Sequence, residues 1–262
     1  MVPSGPVDPL TVVEGEITSC TRFAECQRDS GNRLTLSQIP AGDPMRGSRD
    51  PVVLVVTATP DARSAGPQGS AYMGPTSKRM LQLFCDPRYG IGLGPIPTTA
   101  TDVATFLSSH RIYRTSAVKC AVQGQDGGGT PVIRRCHATF LQRQIDAMPN
   151  LRVILPMGTV AIQSVLGTLP GAAVYDFVGR GAGIRVAESP TDRTIIALPH
   201  PSPVNSHFRP PSATSVPLAF GDMAIDTGSR PDLNVEHRFL LALRAVRKAL
   251  VAAGYAPTAG PL

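Results

Sequence analysis

The chain has 262 residues, 42% hydrophobic and 5% aromatic with no Trp, enough to build the core of one large domain or two small ones. It has no run of about 18 apolar residues, so no transmembrane helix is expected, and "MVPSGPVDPL" lacks the basic and apolar regions of a secretory signal, so a cytoplasmic location is expected. A formal net charge of +6 fits a polyanionic partner, nucleic acid first, and fits a plain solvated basic surface equally well.

Residues 1–10 read as a frayed terminus. "PVVLVVTATP" (51–60) is an apolar, β-branched run bounded by Pro and predicts a buried parallel strand. "TSKRMLQLF" (76–84) predicts a helix with Thr76 as its N-cap, and "TDVATFLSS" (101–109) a second with a Thr/Asp cap. "RIYRTSAV" (111–118) predicts another buried strand. "CHATFLQRQIDAM" (136–148) sets Phe140, Leu141, Gln144, Ile145 and Met148 at helical spacing. "LRVILPM" (151–157) and "RTIIALP" (193–199) complete the strands, with a short Gly-bounded helix, "GTVAIQSVLG" (158–167), between them. "VEHRFLLALRAVRKALVAAG" (235–254) predicts an amphipathic helix stopped by Gly254.

Strands that alternate with helices predict an α/β fold: three α/β/α layers around a central four-stranded parallel sheet. A single domain spanning 1–262 is expected, with about 1–12 and 255–262 as flexible termini. Ligands on such sheets bind beyond the carboxyl ends of the strands. That singles out the loops 58–75, 117–135, 157–160 and 199–213. The last of these contains "LPHPSPVNSHFRPP", in which prolines forbid helix and stiffen the chain around His200. The Pro-rich stretch 200–231 is longer than a routine connection and reads as a functional loop or as partly disordered chain.

Five cysteines and no export signal argue against a disulfide framework and turn attention to metal or cluster ligation. Cys120 follows the second strand. Cys136 stands sixteen residues on, at the opening of a helix, beyond "GQDGGGTP". Cys20 and Cys26 form a pair wider than C-x-x-C, and Cys85 reads as a helix-end core residue. Four thiolates suit a [4Fe–4S] cluster and would also suit zinc.

Several segments together resemble the iron–sulfur branch of the uracil-DNA glycosylase superfamily, found in bacteria and archaea. They are "RTSAVKC", the second Cys sixteen residues later, and "FLQRQIDAMPNLRVILPMGTVAIQSVLG". "VVLVVTATPDARSAGPQGSAYMGPTSKRML" is similar to the family's first motif and "HPSPVNS" to its second. The resemblance spans roughly residues 20 to 210. It implies an enzyme that flips uracil from DNA into a pocket and hydrolyses its N-glycosidic bond. His200 would hydrogen-bond the uracil carbonyl, Tyr72 would stack on the base, and Ala58, Thr59 and Pro60 would line the pocket. Cys20, Cys26, Cys120 and Cys136 would hold a [4Fe–4S] cluster, with zinc the lesser alternative. Uracil-containing DNA would be the partner, free uracil the product, and the protein a monomer with no membrane role.

Three departures qualify the resemblance. Ala58 stands where the family usually has Asp, Asn or Glu to position water. Asp61 is the nearby carboxylate that could substitute, although an Asp in such a loop is more often a turn residue than a catalyst. Ser116 stands where Asn often reads the base edge, a task that Gln68, Asn205 or the backbone could share. The third departure is the wide Cys20–Cys26 spacing. Arg63, Lys78, Arg79 and Arg209 are candidate phosphate contacts or plain solvated charges. The missing acid keeps a second reading open, a non-catalytic binder of uracil-containing or abasic DNA. The cysteines keep open a third, an electron-transfer protein.

Overall fold

The computed structural model describes residues 7–36, 39–60, 74–85, 92–123, 128–166, 186–188, 193–198, 200–201, 247 and 250–254. Its centre is β2 (Val53–Thr57), flanked by β3 (Ile112–Ser116) on one side and β5 (Val153–Pro156) on the other, all parallel. β7 (Thr194–Ile196) pairs parallel with β5 and completes the expected four-stranded sheet. The same sheet has a fifth strand that was not anticipated: β6 (Val186–Glu188) runs antiparallel along the outer edge of β7.

The apolar runs make these strands because both faces are covered. Val53 and Val55 enter one core, while Leu54 and Val56 enter the other. That alternation, with both sets buried, requires helices on each side. The first core is closed by α3 (Pro75–Cys85) and α4 (Ala100–Ser109) through Met80, Leu81, Phe84, Val103 and Leu107. The second is closed by α5 (Thr130–Cys136), α6 (Gln142–Asp146) and α7 (Thr159–Leu166) through Val132, Ile145 and Ile162, with Leu141 added from the turn before α6. Among the described residues no helix is long and apolar enough to cross a membrane.

Several local expectations shift. α3 starts at Pro75, so Thr76 lies inside the helix rather than capping it; Pro suits a first helical position, where its missing N–H has no partner to lose. α4 is capped two residues earlier than expected. Thr99 Oγ1 accepts from Asp102 N at 3.1 Å and Asp102 Oδ2 accepts from Thr99 N at 3.1 Å, a capping box. Cys136 does not open its helix. Gly129, at φ +91°, caps α5 well before it, and Cys136 is the last residue of α5. A π-helical turn (His137–Leu141) then leads into α6. Of the C-terminal helix, Arg247, Leu250, Val251 and Ala252 are described as helical; the remainder lies outside the described residues.

The N-terminal region departs most. α1 (Pro9–Thr18) and α2 (Phe23–Asp29) precede the short strand β1 (Leu34–Thr35), which pairs antiparallel with β4 (Ala121–Val122). Residues expected to fray therefore begin an ordered helix. Asp8 caps α1 by accepting from Leu10 N at 3.1 Å, and Leu10 is fully buried. Within α1, Glu14 is also fully buried and gathers donors from three directions. Its oxygens accept from Gly42 N at 2.6 Å, Arg49 Nη1 at 2.7 Å and the Tyr113 hydroxyl at 2.5 Å, with Arg46 Nε 3.7 Å away. The Tyr113 hydroxyl accepts in turn from Gln144 Nε2 at 3.2 Å. A buried charge of this kind is tolerable only when its lone pairs are satisfied.

Glu14→Ala removes the acceptor that these donors share and is expected to cost about 3–5 kcal/mol of unfolding free energy. Tyr113→Phe deletes a single hydroxyl from the same network and should cost about 1–3 kcal/mol. Urea denaturation of both variants beside wild type checks the ranking; equal midpoints for all three would show that the network contributes nothing.

Candidate functional site

His200 is fixed by strand pairing that runs past the regular sheet. Met157 bridges Leu198, Leu198 N donates to Pro156 O at 2.9 Å, and Gly158 N donates to Leu198 O at 2.8 Å. This brings the turn after β5 directly beneath the residue two beyond Leu198. Gly158 has φ +85°, and a Cβ built there would lie 2.8 Å from His200 Cβ and 3.3 Å from its ring. Only glycine fits both the left-handed backbone and the close approach. Gly158 O also accepts from Ile162 N at 3.0 Å, so the same turn starts α7. Burial lowers the pKa of His200 and favours the neutral imidazole.

The His200 side chain forms one wall of a cavity of about 170 Å³ at the carboxyl ends of the strands. Thr57, Thr59 and Pro60 line it at the end of β2, Gly74, Thr76, Ser77 and Met80 at the start of α3, and Arg114 from within β3. It is smaller than the roughly 300–1,000 Å³ of pockets that take drug-sized ligands, so its scale suits a single small ring. Arg114 is 3% exposed and donates through Nη2 to Ser77 Oγ at 2.8 Å.

The structure brings together three of the expected site residues, His200, Thr59 and Pro60. Ala58 is not part of the lining: its methyl packs against the opposite core, and its carbonyl accepts from Val118 N at 3.0 Å. Ser116 stands beside the cavity rather than in its wall, 3% exposed, with its hydroxyl 3.2 Å from Thr57 Oγ1. Asp61, Tyr72 and Asn205 lie outside the described residues, as do Arg63, Gln68 and Arg209. Lys78 is exposed on α3 and Arg79 is half-buried there.

Two site-forming residues escaped the sequence reading. Arg114 is one. The other is Lys119, whose Nζ donates to Thr115 Oγ1 at 2.9 Å, to Gln144 Oε1 at 2.6 Å and to the Ser116 carbonyl. Burial pushes the Lys119 ammonium down to about 7. Both had a visible signal: a charged side chain within or just after a strand that otherwise reads as wholly buried.

Cys26, Cys120 and Cys136 share the second core, and Cys20 packs against a separate small cluster of Val13, Ile17 and Phe140. Burial pushes the Cys136 thiol up; the Lys119 backbone N–H and ammonium oppose that rise, and the Cys26 and Cys20 thiolates add to it. Arg135 Nη1 donates to Cys26 Sγ at 3.3 Å. All four are free thiols, delivered by the α1–α2 segment, the residue just before β4 and the end of α5. Thiols are the donor type that an iron–sulfur cluster takes. Among the described residues no group of three or more His, Cys, Asp or Glu side chains stands ready-made around a single metal ion. Cys85 ends α3 in the other core, as expected of a packing residue.

No curated protein sequence matches the chain. The family model for the Uracil DNA glycosylase superfamily matches residues 44–219, well over half of the 262. The match takes in the cavity, His200, Cys120 and Cys136, and starts after Cys20 and Cys26. The cavity at the strand ends and the histidine clamped above Gly158 therefore sit in a chain that belongs to the uracil DNA glycosylase superfamily.

Proposed function

We propose that the protein is a monofunctional DNA repair glycosylase that hydrolyses the N-glycosidic bond of uracil in DNA, releasing uracil and leaving an abasic site. Superfamily membership supports the glycosylase class. The observation that carries the reading is His200, held over Gly158 in the wall of a small cavity at the strand ends. In the proposed reaction uracil leaves the stack and enters that cavity. The bond from C1′ to N1 breaks with its electron pair moving onto the base, and water adds to the sugar. Neutral His200 donates an N–H toward the carbonyl oxygen where negative charge grows, a contribution that strengthens in the transition state. With Ala58 at the usual acid position, the reading rests on departure of the base more than on activation of water. Asp61 is the carboxylate proposed to position that water, Tyr72 the proposed stacking platform and Asn205 the proposed contact to the base edge, with Ser116 acting through Thr57.

Cys20, Cys26, Cys120 and Cys136 would hold a [4Fe–4S] cluster, which when bound supplies a cross-link between the N-terminal helices, β4 and α5 and no chemistry at the glycosidic bond. Protein purified without oxygen is expected to be brown, with broad visible absorbance and iron and sulfide in equal amounts. Zinc alone, or Cys136→Ala with the full iron content of wild type, would refute this ligand set.

Wild type is expected to cut an oligonucleotide carrying one uracil after alkali treatment. His200→Ala should lower the single-turnover rate about 10²–10³-fold. Gly158→Ala should remain folded yet lose about 100-fold, because its methyl displaces the His200 ring rather than removing it. Tight binding of the oligonucleotide with no cleavage by wild type would instead favour the non-catalytic binder.

The pH dependence has a definite sign. Burial holds the His200 pKa below the ordinary 6.5, so on acidification the unfolded chain takes up its proton first. Stability from this group is complete above about pH 6.5 and is lost as the pH falls below it. The active neutral form likewise persists through the ordinary histidine range. The plot of kcat/KM against pH should stay flat from pH 8 to about 6.5 and fall only below that. An acid limb centred above pH 6.5 would contradict a buried neutral His200.

A further inference from the structure

We infer that Lys119 is a positioning residue for the cavity: from the far side of the sheet it sets the Ser116 hydroxyl, and through it the Thr57 hydroxyl in the cavity wall. This rests on the glycosylase reading and extends it to a residue outside that wall. The Lys119 side chain is buried and turns back along its own chain. Its three N–H donors meet three acceptors: the Ser116 carbonyl, Thr115 Oγ1 at 2.9 Å and Gln144 Oε1 at 2.6 Å. Thr115 and Gln144 are themselves joined, the threonine hydroxyl donating to Gln144 Oε1 at 3.0 Å. The ammonium therefore ties the last residue of β3 both to its own strand and to α6.

What the ammonium holds on one face, the cavity meets on the other. Residues alternate across a sheet, so Thr115 turns to the second core and Ser116 to the cavity side, in register with Thr57 of β2. The Ser116 hydroxyl shares a hydrogen bond of 3.2 Å with Thr57 Oγ1. Thr57 Oγ1 also lies 3.4 Å from the Thr115 carbonyl, to which it donates, and Thr57 stands in the cavity wall. Beyond Ser116 the pairing of the two strands continues, with Ala117 N donating to Thr57 O at 2.8 Å and Val118 N to Ala58 O at 3.0 Å. Lys119 closes this turn by bonding back to the Ser116 carbonyl. A threonine hydroxyl rotates to suit its partners, and it can both donate to and accept from a base edge. Fixing those partners fixes what the base meets, and a displacement of about 1 Å is enough to lower a rate about 100-fold. A buried ammonium carries a desolvation cost that an apolar side chain would avoid, so packing alone does not account for a lysine here.

The test is a double-mutant cycle. Single-turnover rates on an oligonucleotide carrying one uracil are measured with enzyme in saturating excess, so the amount of folded protein does not enter. Wild type, Lys119→Met, Thr57→Val and the double variant are compared. Lys119→Met is expected to lose about 10–100-fold in rate while its Kd for the oligonucleotide stays within about threefold of wild type, since phosphate contacts carry most of that affinity. The double variant should be slower than Thr57→Val alone by no more than about twofold, because the hydroxyl that Lys119 positions is already gone. Losses that multiply, or an unchanged rate for Lys119→Met, overturn the inference. A Kd weakened in step with the rate would place the effect in DNA binding and also overturn it. Tyr113→Phe breaks the network on its Glu14 side and leaves the ammonium its three acceptors, so its rate should stay near that of wild type. A loss equal to that of Lys119→Met would mean a general loosening of the core and overturn the inference. If Lys119→Met does not fold, Thr115→Val takes its place: it removes one anchor of the ammonium, keeps the shape of the side chain, and should be about fivefold slower, with that loss absent in the Thr57→Val background. An unchanged rate, or a loss that persists in that background, overturns the inference. Wild type inactive on the oligonucleotide sinks the glycosylase reading and this one with it, a result distinct from multiplying losses among active variants.

Discussion

The site depends on one close approach, the contact between Gly158 and His200. It exists because β5 and β7 remain in register beyond their last regular pair, through Met157 and Leu198, and because the residue that follows has no side chain. Two elements that arrive from distant parts of the sequence are thereby locked at the height of the cavity. The same turn starts α7, so a helix of the second core helps to fix a histidine that serves the other side of the sheet. A loop held this way gives a hydrogen-bond donor a direction without needing a partner for every polar group around it, which is what preorganised catalysis requires.

β3 carries the second constraint. Its alternate residues serve two different tasks: Arg114 and Ser116 on the cavity face, Tyr113 and Thr115 on the face of the buried polar network. From Glu14 that network runs through Tyr113 and Gln144 to Lys119, whose ammonium is bound to the Ser116 carbonyl. The end of the strand is therefore held from behind by charge-assisted hydrogen bonds, which are stronger than neutral ones. Because a one-residue slip of β3 would exchange the two faces, the register of this strand fixes the cavity and the network together.

Long-range organisation was legible in the sequence where it depends on burial. Four β-branched runs became the four parallel strands, and the loops at their carboxyl ends contain the cavity. Local boundaries were less legible, because they are decided by competition among neighbouring residues. Thr99 outcompeted the Thr101–Asp102 start, with Asp102 becoming the third residue of the box, and Pro75 displaced Thr76 as the start of α3. α1 left only a weak trace, Asp8 before Pro9. Its ordering comes from the tertiary contacts of Glu14 with Arg49 and Tyr113, which no local pattern encodes. Ala58 illustrates the limit of reading a motif by position. It stands at the expected place in the chain, but the pleat turns its methyl into the second core, while Thr57 and Thr59 face the cavity.

The orientation of Ala58 bears on how such a site works. A water-positioning acid at this position would have to leave the pleat direction its methyl follows, so no simple substitution explains the missing carboxylate. What the cavity face offers instead is polarity suited to an accumulating negative charge: a clamped, neutral histidine donor, threonine hydroxyls, and a guanidinium buried in the middle of a strand. In a reaction where the sugar becomes cationic as the base becomes anionic, stabilising the base lowers the barrier even when the nucleophile is ordinary water. A site without a strong base is then coherent only if it stabilises the leaving group.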